Sequence, residues 1–270
     1  KFIIKATVYK HFCGGETIQE SQTTIDKLWQ SSIGTILDFS AERKESANDF
    51  NKALEQTLAS IEKAAVSDSI PFSVFKPTGL CKFSILEKIN NNSPLSADEE
   101  IEKKEYEARV DAICKLAFDK NVAVFIDAEE SWIQDAIDSV AEEMMVKYNK
   151  QKALIYNTIQ LYRKDRIDYL NSFLRRAENN YFIGIKLVRG AYHEQEIARA
   201  KANNYACPVH TVKVNTDTDY NAALELCIKN IERVAVCAGT HNEESAQLLT
   251  ELLEKHNLNK NDNRIYFSQL

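Results

Sequence analysis

An apolar run near the middle of the chain ends in two cations and a glycine. Residues 183–192 read Ile-Gly-Ile-Lys-Leu-Val-Arg-Gly-Ala-Tyr, which predicts a buried strand that leads to Lys186, Arg189 and Gly190. In α/β proteins, ligands bind at the carboxyl ends of parallel strands. Glycine lets the backbone approach a ligand closely, and neighbouring N–H groups can donate to anionic oxygens. The segment therefore predicts a site for an anionic cofactor.

Polar residues also follow four other strand-like runs. They are Lys76, the triplet Asp127-Ala128-Glu129, Gln160, and the triplet Thr240-His241-Asn242. One such ending is commonplace, but a site built from several strand ends is typical of a barrel enzyme. The chain contains neither a G-x-G-x-x-G fingerprint nor a Walker-type phosphate loop, so a nucleotide would not bind as in a Rossmann fold. A barrel is therefore favoured over an open, doubly wound sheet.

Short β-branched or aromatic runs alternate with longer segments of helical apolar period. The strand-like runs are residues 35–39, 72–75, 122–126, 154–159, 182–188, 234–238 and 264–267. This alternation predicts an α/β protein with a parallel sheet. Because glycine and proline are scarce and no Gly/Ser-rich linker interrupts the chain, residues 1–270 are predicted to form a single domain.

Local signals predict how individual helices begin and what they expose. Ser131 and Gln134 have the spacing of a capping box at the start of a helix. Residues 90–96, with Pro94, are the clearest predicted loop. The charged run 98–107 is predicted to be a solvated helix face.

Composition excludes several classes of partner. The net charge of −6 argues against nucleic acid, and no apolar run reaches the roughly 18 residues of a membrane-spanning helix. The six cysteines form no C-x-x-C pair, which predicts reduced thiols and no metal site. The chain begins at Lys1 without a signal-peptide pattern, which allows an upstream segment to have been removed.

Taken together, the strand-end motifs resemble the FAD-dependent proline dehydrogenases, also called proline oxidases. The motifs are, in order, Lys76, Asp127-Ala128-Glu129, Gln160, Lys186-Leu187-Val188-Arg189-Gly190-Ala191-Tyr192 and Thr240-His241-Asn242. The resemblance extends from residues 12–16 to residues 266–270. A long insertion between the second and third strands, the strand at 154–158, and the pair Lys186 and Arg189 resemble the monofunctional, mitochondrial-type branch.

The resemblance implies a distorted (β/α)₈ barrel of the TIM type. Because seven strands are counted, the eighth strand and the final helix, which bears the family's substrate clamp, are expected beyond Leu270. Residues 175–179 (Arg-Arg-Ala-Glu-Asn) resemble that clamp, but the spacing is one residue short. We expect Arg175 and Arg176 instead at the carboxyl end of a helix, on the opposite side of the barrel from the site.

The resemblance also implies an activity, in which L-proline is oxidised to Δ1-pyrroline-5-carboxylate by hydride transfer to FAD N5 and a quinone takes the electrons. Asp127 would orient a neighbouring cation or the substrate amine, and Lys186 would stabilise the negative charge of reduced flavin. Lys76 would meet the substrate carboxylate, and Tyr192 would cap the site. The residues expected to hold FAD are Ala128, Gln160, Lys186, Val188, Arg189, Gly190, Ala191, Thr240, His241 and Asn242.

Other functions stay open from the sequence. They are hydroxyproline oxidation within the same family, a Schiff-base lyase that uses Lys76 or Lys186, and a non-catalytic barrel that binds flavin or a partner. A quinone acceptor allows peripheral membrane association without a transmembrane segment. We expect a cytoplasmic protein, or one at the inner face of the membrane, and in a eukaryote a protein of the mitochondrial matrix or inner membrane.

Overall fold

Seven parallel strands form one sheet in the computed structural model, which describes residues 14–15, 17–38, 43–178 and 180–269. The strands are β1 (Ile36–Asp38), β2 (Phe72–Phe75), β3 (Ala123–Ile126), β4 (Ile155–Gln160), β5 (Ile183–Val188), β6 (Val234–Gly239) and β7 (Ile265–Ser268). They pair in sequence order, so every connection is a crossover to the next parallel neighbour. The predicted parallel α/β sheet is confirmed, with bounds correct to within one residue; Phe39, the predicted end of the first strand, lies outside the described residues.

One helix precedes β1, and the other helices fill the crossovers between the strands. They are α1 (Ile18–Trp29), α2 (Ala47–Ala64), α3 (Phe83–Asn90), α4 (Ala97–Lys120), α5 (Ser131–Tyr148), α6 (Arg166–Ala177), α7 (His193–Ala202), α8 (Lys213–Lys229) and α9 (Glu243–Lys255). A 3₁₀ turn, Pro77–Gly79, follows β2 directly. Two helices separate β2 from β3 and two separate β5 from β6, so the strand–helix repeat is irregular.

The sheet curls into a partial barrel with two separate apolar clusters. The larger cluster joins the outer face of the strands to the helices, whereas a smaller cluster lies on the inner face. On the inner face the rings of Phe72 and Phe125 stack with centroids 4.2 Å apart, and Tyr156 meets Phe125 edge to face. Because side chains alternate along a strand, the same face continues toward the carboxyl ends at Lys76 and Asp127.

The capping box predicted at Ser131 and Gln134 is wrong. Ser131 is the first residue of α5, and its backbone N–H and hydroxyl both donate to the buried carboxylate of Glu196, at 2.6 Å each. The amide oxygen of Gln134 instead accepts from the backbone N–H of Glu129 at 2.9 Å. A side chain on α7 therefore supplies the cap that the local sequence was expected to provide, which only the tertiary fold could reveal.

Two other local predictions are confirmed, the loop between α3 and α4 and the charged run on α4. The segment between α3 and α4 is a loop, and a capping box is present at Ser96 and Glu99, where α4 begins. The charged run forms the first turns of α4, where half of the residues are exposed and the others are partly buried, except for Tyr106, which is buried. Five cysteines lie in the described part of the chain, and all five are free thiols. None of the helices in that part combines the length and the apolar character needed to cross a bilayer.

Candidate active site

A carboxylate flanked by two ammonium groups lies at the carboxyl edge of the sheet. Asp127, directly after β3, accepts from Lys76 Nζ at 2.9 Å and from Lys186 Nζ at 2.5 Å. The hydroxyl of Thr158 also donates to it at 3.3 Å, and Lys186 Nζ lies 5.1 Å from the ring centroid of Phe125. Strand register explains this convergence, because Thr158 pairs with Lys186 and β2 runs beside β3.

The electrostatics of this cluster favour three charged groups. Burial raises the pKa of Asp127, but the two neighbouring ammonium groups of Lys186 and Lys76 lower it by more, so the pKa lies below its usual value. Burial lowers the pKa of Lys76, but the attraction of Asp127, with smaller contributions from Asp38 and Tyr192, raises it above the usual value. The cluster of Asp127, Lys76 and Lys186 therefore has an excess of one positive charge, which suits an anionic ligand or a developing negative charge.

Glu129 and Gln160 connect the neighbouring strand ends. Gln160, the last residue of β4, donates from its amide to the backbone carbonyl of Glu129 at 2.7 Å and accepts from the N–H of Ala191 at 3.3 Å. The carboxylate of Glu129 accepts from the backbone N–H and the hydroxyl of Thr78, at 2.9 and 2.5 Å. Both side chains are buried, so they order the rim of the site rather than extend into solvent.

Arg189 is held by three partners after the end of β5. Its Nε donates to Asp217 at 2.7 Å, and its two Nη atoms donate to the hydroxyls of Thr240 at 2.6 Å and Ser245 at 3.0 Å. The guanidinium also lies over the ring of Tyr220, 4.4 Å from its centroid. Within the described part of the chain these contacts use three of the five N–H donors of Arg189, which leaves two for a ligand.

Gly190 requires glycine because of protein packing. Its φ is +131°, and a Cβ there would lie 2.4 Å from the ring of Tyr162. The missing side chain thus makes room for a tyrosine ring, whereas the sequence predicted room for a ligand. The exposed Ala191 follows, and the half-buried Tyr192 is the residue before α7, close enough to Lys76 and Arg43 to influence their pKa values.

The remaining predicted residues lie on the same edge. Thr240 Oγ1 accepts from the N–H of Asn242 at 3.0 Å, and Asn242 caps α9 by accepting from the N–H of Ser245 at 2.8 Å. His241 is exposed between them. Ala128 is buried beside Asp127. Val188, the last residue of β5, is half-buried. All thirteen predicted site residues therefore lie in the last three residues of strands β2 to β6 or in the segments that follow them, at one edge of the sheet.

The clamp-like segment lies elsewhere, as predicted. Arg175 and Arg176 are in the last turn of α6, which leads into the amino end of β5. Arg176 pairs with Glu142 at 2.7 Å on the outer, helical layer of the fold. Asn179 lies outside the described residues.

Several residues of this edge were missed because they are ordinary in sequence. Thr78, Thr158, Asp217 and Ser245 have no spacing that separates them from surface residues. Glu129 stood within a recognised triplet, but nothing in its local sequence indicated burial or its contact with Thr78. A polar residue two positions after a strand-end site residue is the only signal that could have found Thr78 and Glu129.

Comparison with known proteins places this site in a family. A family model described as "Proline dehydrogenase" matches residues 21–270. The chain is 34% identical over 239 residues to "Carbapenem antibiotics biosynthesis protein CarD" of Pectobacterium carotovorum subsp. carotovorum, which covers 88% of this chain and 62% of that protein. It is 31% identical over 313 residues to "Proline dehydrogenase 1, mitochondrial" of Dictyostelium discoideum, with 100% of this chain and 55% of that protein covered. The chain thus spans about three fifths of the length of these curated relatives.

The fold also matches solved structures. Proline utilization A from Bdellovibrio bacteriovorus, inactivated by N-propargylglycine, superposes with a TM-score of 0.80 at 22% identity, covering 97% of this chain and 28% of that one. The parallel, curled sheet with its charged cluster at the carboxyl edge defines an α/β protein of the distorted TIM-barrel type, as predicted. Within that class, the chain belongs to the proline dehydrogenase family. Its relatives indicate the monofunctional branch.

Proposed function

We propose that the protein containing this chain oxidises L-proline to Δ1-pyrroline-5-carboxylate with bound FAD and passes the electrons to a quinone. The observation that carries the proposal is the Lys76–Asp127–Lys186 cluster at the carboxyl edge of a proline dehydrogenase barrel. Proline is a zwitterion, so a site for it needs both a cation and a carboxylate. The three side chains supply both within one hydrogen-bonded group.

The residues of this edge fit a flavin cofactor. Lys186 and Arg189 provide positive charge, Arg189 keeps two unused N–H donors, and the amide of Gln160 is fixed at the rim. When bound, FAD supplies the hydride acceptor. We propose that Arg189, Thr240, His241 and Asn242 hold its phosphate and adenosine portion, because a cation and a helix amino terminus both favour anionic oxygens. The remaining predicted cofactor residues would hold its ring system; they are Ala128, Gln160, Lys186, Val188, Gly190 and Ala191.

The substrate side of the site falls to Lys76, Asp127 and Tyr192. The ammonium of Lys76, whose pKa is raised, stays charged at neutral pH and can bind a carboxylate. Asp127, whose pKa is lowered, keeps its negative charge and fixes the direction of both lysines. Tyr192, the residue directly before α7, would cover the substrate. These contacts would hold the proline ring in one orientation toward the hydride acceptor. Such positioning lowers the barrier to hydride transfer.

The Schiff-base alternative is disfavoured by the same contacts. A lysine that attacks a carbonyl must be neutral, which requires a lowered pKa. Asp127 does the opposite for Lys76, because the carboxylate raises the pKa of that ammonium. Hydroxyproline remains the second candidate substrate, since the cluster would bind its amine and carboxylate equally well.

The sequence relatives support further proposals. Curated relatives in Dictyostelium discoideum, Arabidopsis thaliana and Homo sapiens are described as mitochondrial, so we propose a mitochondrial location if the source is a eukaryote and the cytoplasmic side of the membrane if it is a bacterium. Delivery of electrons to a quinone would require peripheral contact with a membrane.

Flavin reduction by substrate tests the proposed function. Protein produced from its own gene should be yellow, and anaerobic L-proline should remove the absorbance of oxidised flavin. Hydroxyproline in a parallel sample decides between the two substrates. A flavin that binds but stays oxidised with both would indicate a non-catalytic barrel, and borohydride trapping of a carbonyl substrate without any flavin would indicate the lyase.

A further inference from the structure

Glu129 forms hydrogen bonds through both carboxylate oxygens, its backbone N–H and its backbone carbonyl, although no function above depends on it. Its side chain is 1% exposed, and both carboxylate oxygens accept from Thr78, from the backbone N–H and from the hydroxyl. Its own N–H donates to Gln134, on α5, and its carbonyl accepts from Gln160, at the end of β4. One residue thus joins the turn after β2, the start of α5 and the end of β4.

The connections of Glu129 extend to two more strand ends. The hydroxyl of Thr78 also accepts from the N–H of Arg43, at 3.2 Å, and its carbonyl accepts from the N–H of Lys44, at 3.1 Å, so the segment after β1 is attached to the same turn. On the other side, Gln160 accepts from the N–H of Ala191, after β5. A continuous row of hydrogen bonds, which we call the rim, therefore links Arg43 and Lys44 to the ends of β2 through β5, with Glu129 at its centre.

Of the three acidic residues between β3 and α5, Glu129 is the one with no bonded cation among the described residues. Asp127 contacts two ammonium groups and Glu130 pairs with Arg43, but the hydrogen bonds of the Glu129 carboxylate come from neutral donors. Burial raises its pKa to about 7, and the hydrogen bonds from Thr78 lower it only in part. The charged or titratable groups around it are Glu130 and Lys76, with Arg43 from the segment after β1 and Tyr106 from α4.

Protonation would change how Glu129 bonds to Thr78. The carboxylate accepts two hydrogen bonds, and the Thr78 hydroxyl donates one of them while accepting from Arg43. A protonated carboxyl has one oxygen that must donate a hydrogen. If that oxygen faces the Thr78 hydroxyl, the hydroxyl loses its acceptor; if it faces the Thr78 N–H, the N–H has a weaker acceptor. The link between the strand ends is weakened in both cases.

We propose that Glu129 is a positioning residue whose charged form holds the rim in place and whose protonation loosens the strand-end loops, so that cofactor binding depends on pH near neutrality. This inference rests on the proposed function, in which Gln160 and Ala191 face the flavin. The charge costs global stability because it is buried, and it orders the site in return, which is common where function and stability compete.

The test compares Glu129→Gln with Thr78→Val, Thr78→Ser and the control Glu143→Gln, an exposed glutamate on α5. Dissociation constants for FAD are measured by flavin fluorescence between about pH 5.5 and pH 9. In the wild type the constant should rise roughly tenfold as the pH falls through neutrality, the effect of one lost hydrogen bond. Glu129→Gln and Thr78→Val should lose this dependence, whereas Thr78→Ser and Glu143→Gln should keep it.

A second measurement does not need the cofactor. Amide hydrogen exchange in peptides that contain residues 43–44 and 190–192, corrected for its intrinsic pH dependence, should be faster at low pH in the wild type and insensitive to pH in Glu129→Gln. A Glu129→Gln protein with the wild-type profile in both measurements overturns the inference. A uniformly weaker affinity without a change of profile also overturns it, since that is what a purely structural role gives. If the wild type binds no FAD at any pH, the proposed function fails, and the exchange data alone decide about Glu129.

Discussion

Replacing Asp127 by asparagine removes a carboxylate that pairs with two nearly buried ammonium groups. The side chains of Lys76 and Lys186 are 14% and 19% exposed, and Asp127 itself is 12% exposed. At an effective dielectric constant of about 20, each contact gives about 6 kcal/mol of Coulomb attraction before the cost of desolvation. After that cost, breaking a buried pair by removing one partner typically destabilises by about 3 to 5 kcal/mol. We expect Asp127→Asn to lose that much unfolding free energy, or about 6 to 15 °C in melting temperature.

The pH dependence of this loss follows from the two pKa shifts. The lowered pKa of Asp127 contributes stability that is present above about pH 4 and is lost as the pH falls further. The raised pKa of Lys76 contributes stability that is present below about pH 10 and is lost as the pH rises through the raised value. The penalty of Asp127→Asn should therefore be constant between about pH 5 and pH 9 and shrink outside that window.

Urea unfolding in a double-mutant cycle separates the ion pair from other effects. The cycle combines Asp127→Asn with Lys76→Met, and Asp168→Asn, an exposed aspartate in the first turn of α6, serves as the control with an effect of about 0.3 to 1 kcal/mol. We expect a coupling energy of about 2 kcal/mol or more between Asp127 and Lys76. A coupling below about 0.5 kcal/mol would refute the assignment of the cluster as a buried, mutually dependent group.

Four further outcomes follow from the contacts at and around the site. Arg189→Ala should weaken FAD binding by about 1.5 to 3 kcal/mol, with Arg189→Lys milder but not neutral, as measured by flavin content after dialysis. The pKa of Glu129 is higher in the folded than in the unfolded protein, so the wild type loses stability as the pH rises above the unfolded-state pKa. The unfolding free energy of Glu129→Gln relative to wild type should therefore rise by about 3 kcal/mol from pH 5 to pH 8. A difference that does not change with pH in denaturant titrations would contradict the raised pKa. The double change Arg175→Ala with Arg176→Ala should leave proline turnover almost untouched, and loss of proline binding in a folded protein would mean that the site lies elsewhere. Gly190→Ala should lower flavin content and thermal stability, since its Cβ meets a buried ring, and normal values would show that the loop adjusts.

The parallel sheet and the edge that carries the candidate site residues were predictable from sequence, because both follow from local pattern. Short β-branched or aromatic runs located β2 through β6, and the polar residues near their carboxyl ends located Lys76, Asp127 and Lys186. Their mutual contacts depend on strand register, which no local pattern encodes. The sequence did not predict the capping of α5 by Glu196 or the packing of the Tyr162 ring against Gly190 for the same reason, because each partner is distant in sequence. Glu129 was missed because burial, not residue type, sets its behaviour.

Single-turnover reduction of bound flavin by proline tests the central claim, that Asp127 and Lys76 handle the substrate while other residues at the strand ends hold the cofactor. Wild type, Asp127→Asn and Asp168→Asn are mixed anaerobically with L-proline after their flavin content is measured. The account predicts nearly equal flavin content in all three and a limiting reduction rate lowered at least about 100-fold in Asp127→Asn alone. A folded Asp127→Asn protein that reduces its flavin at the wild-type rate, or that has lost its flavin, would contradict the claim.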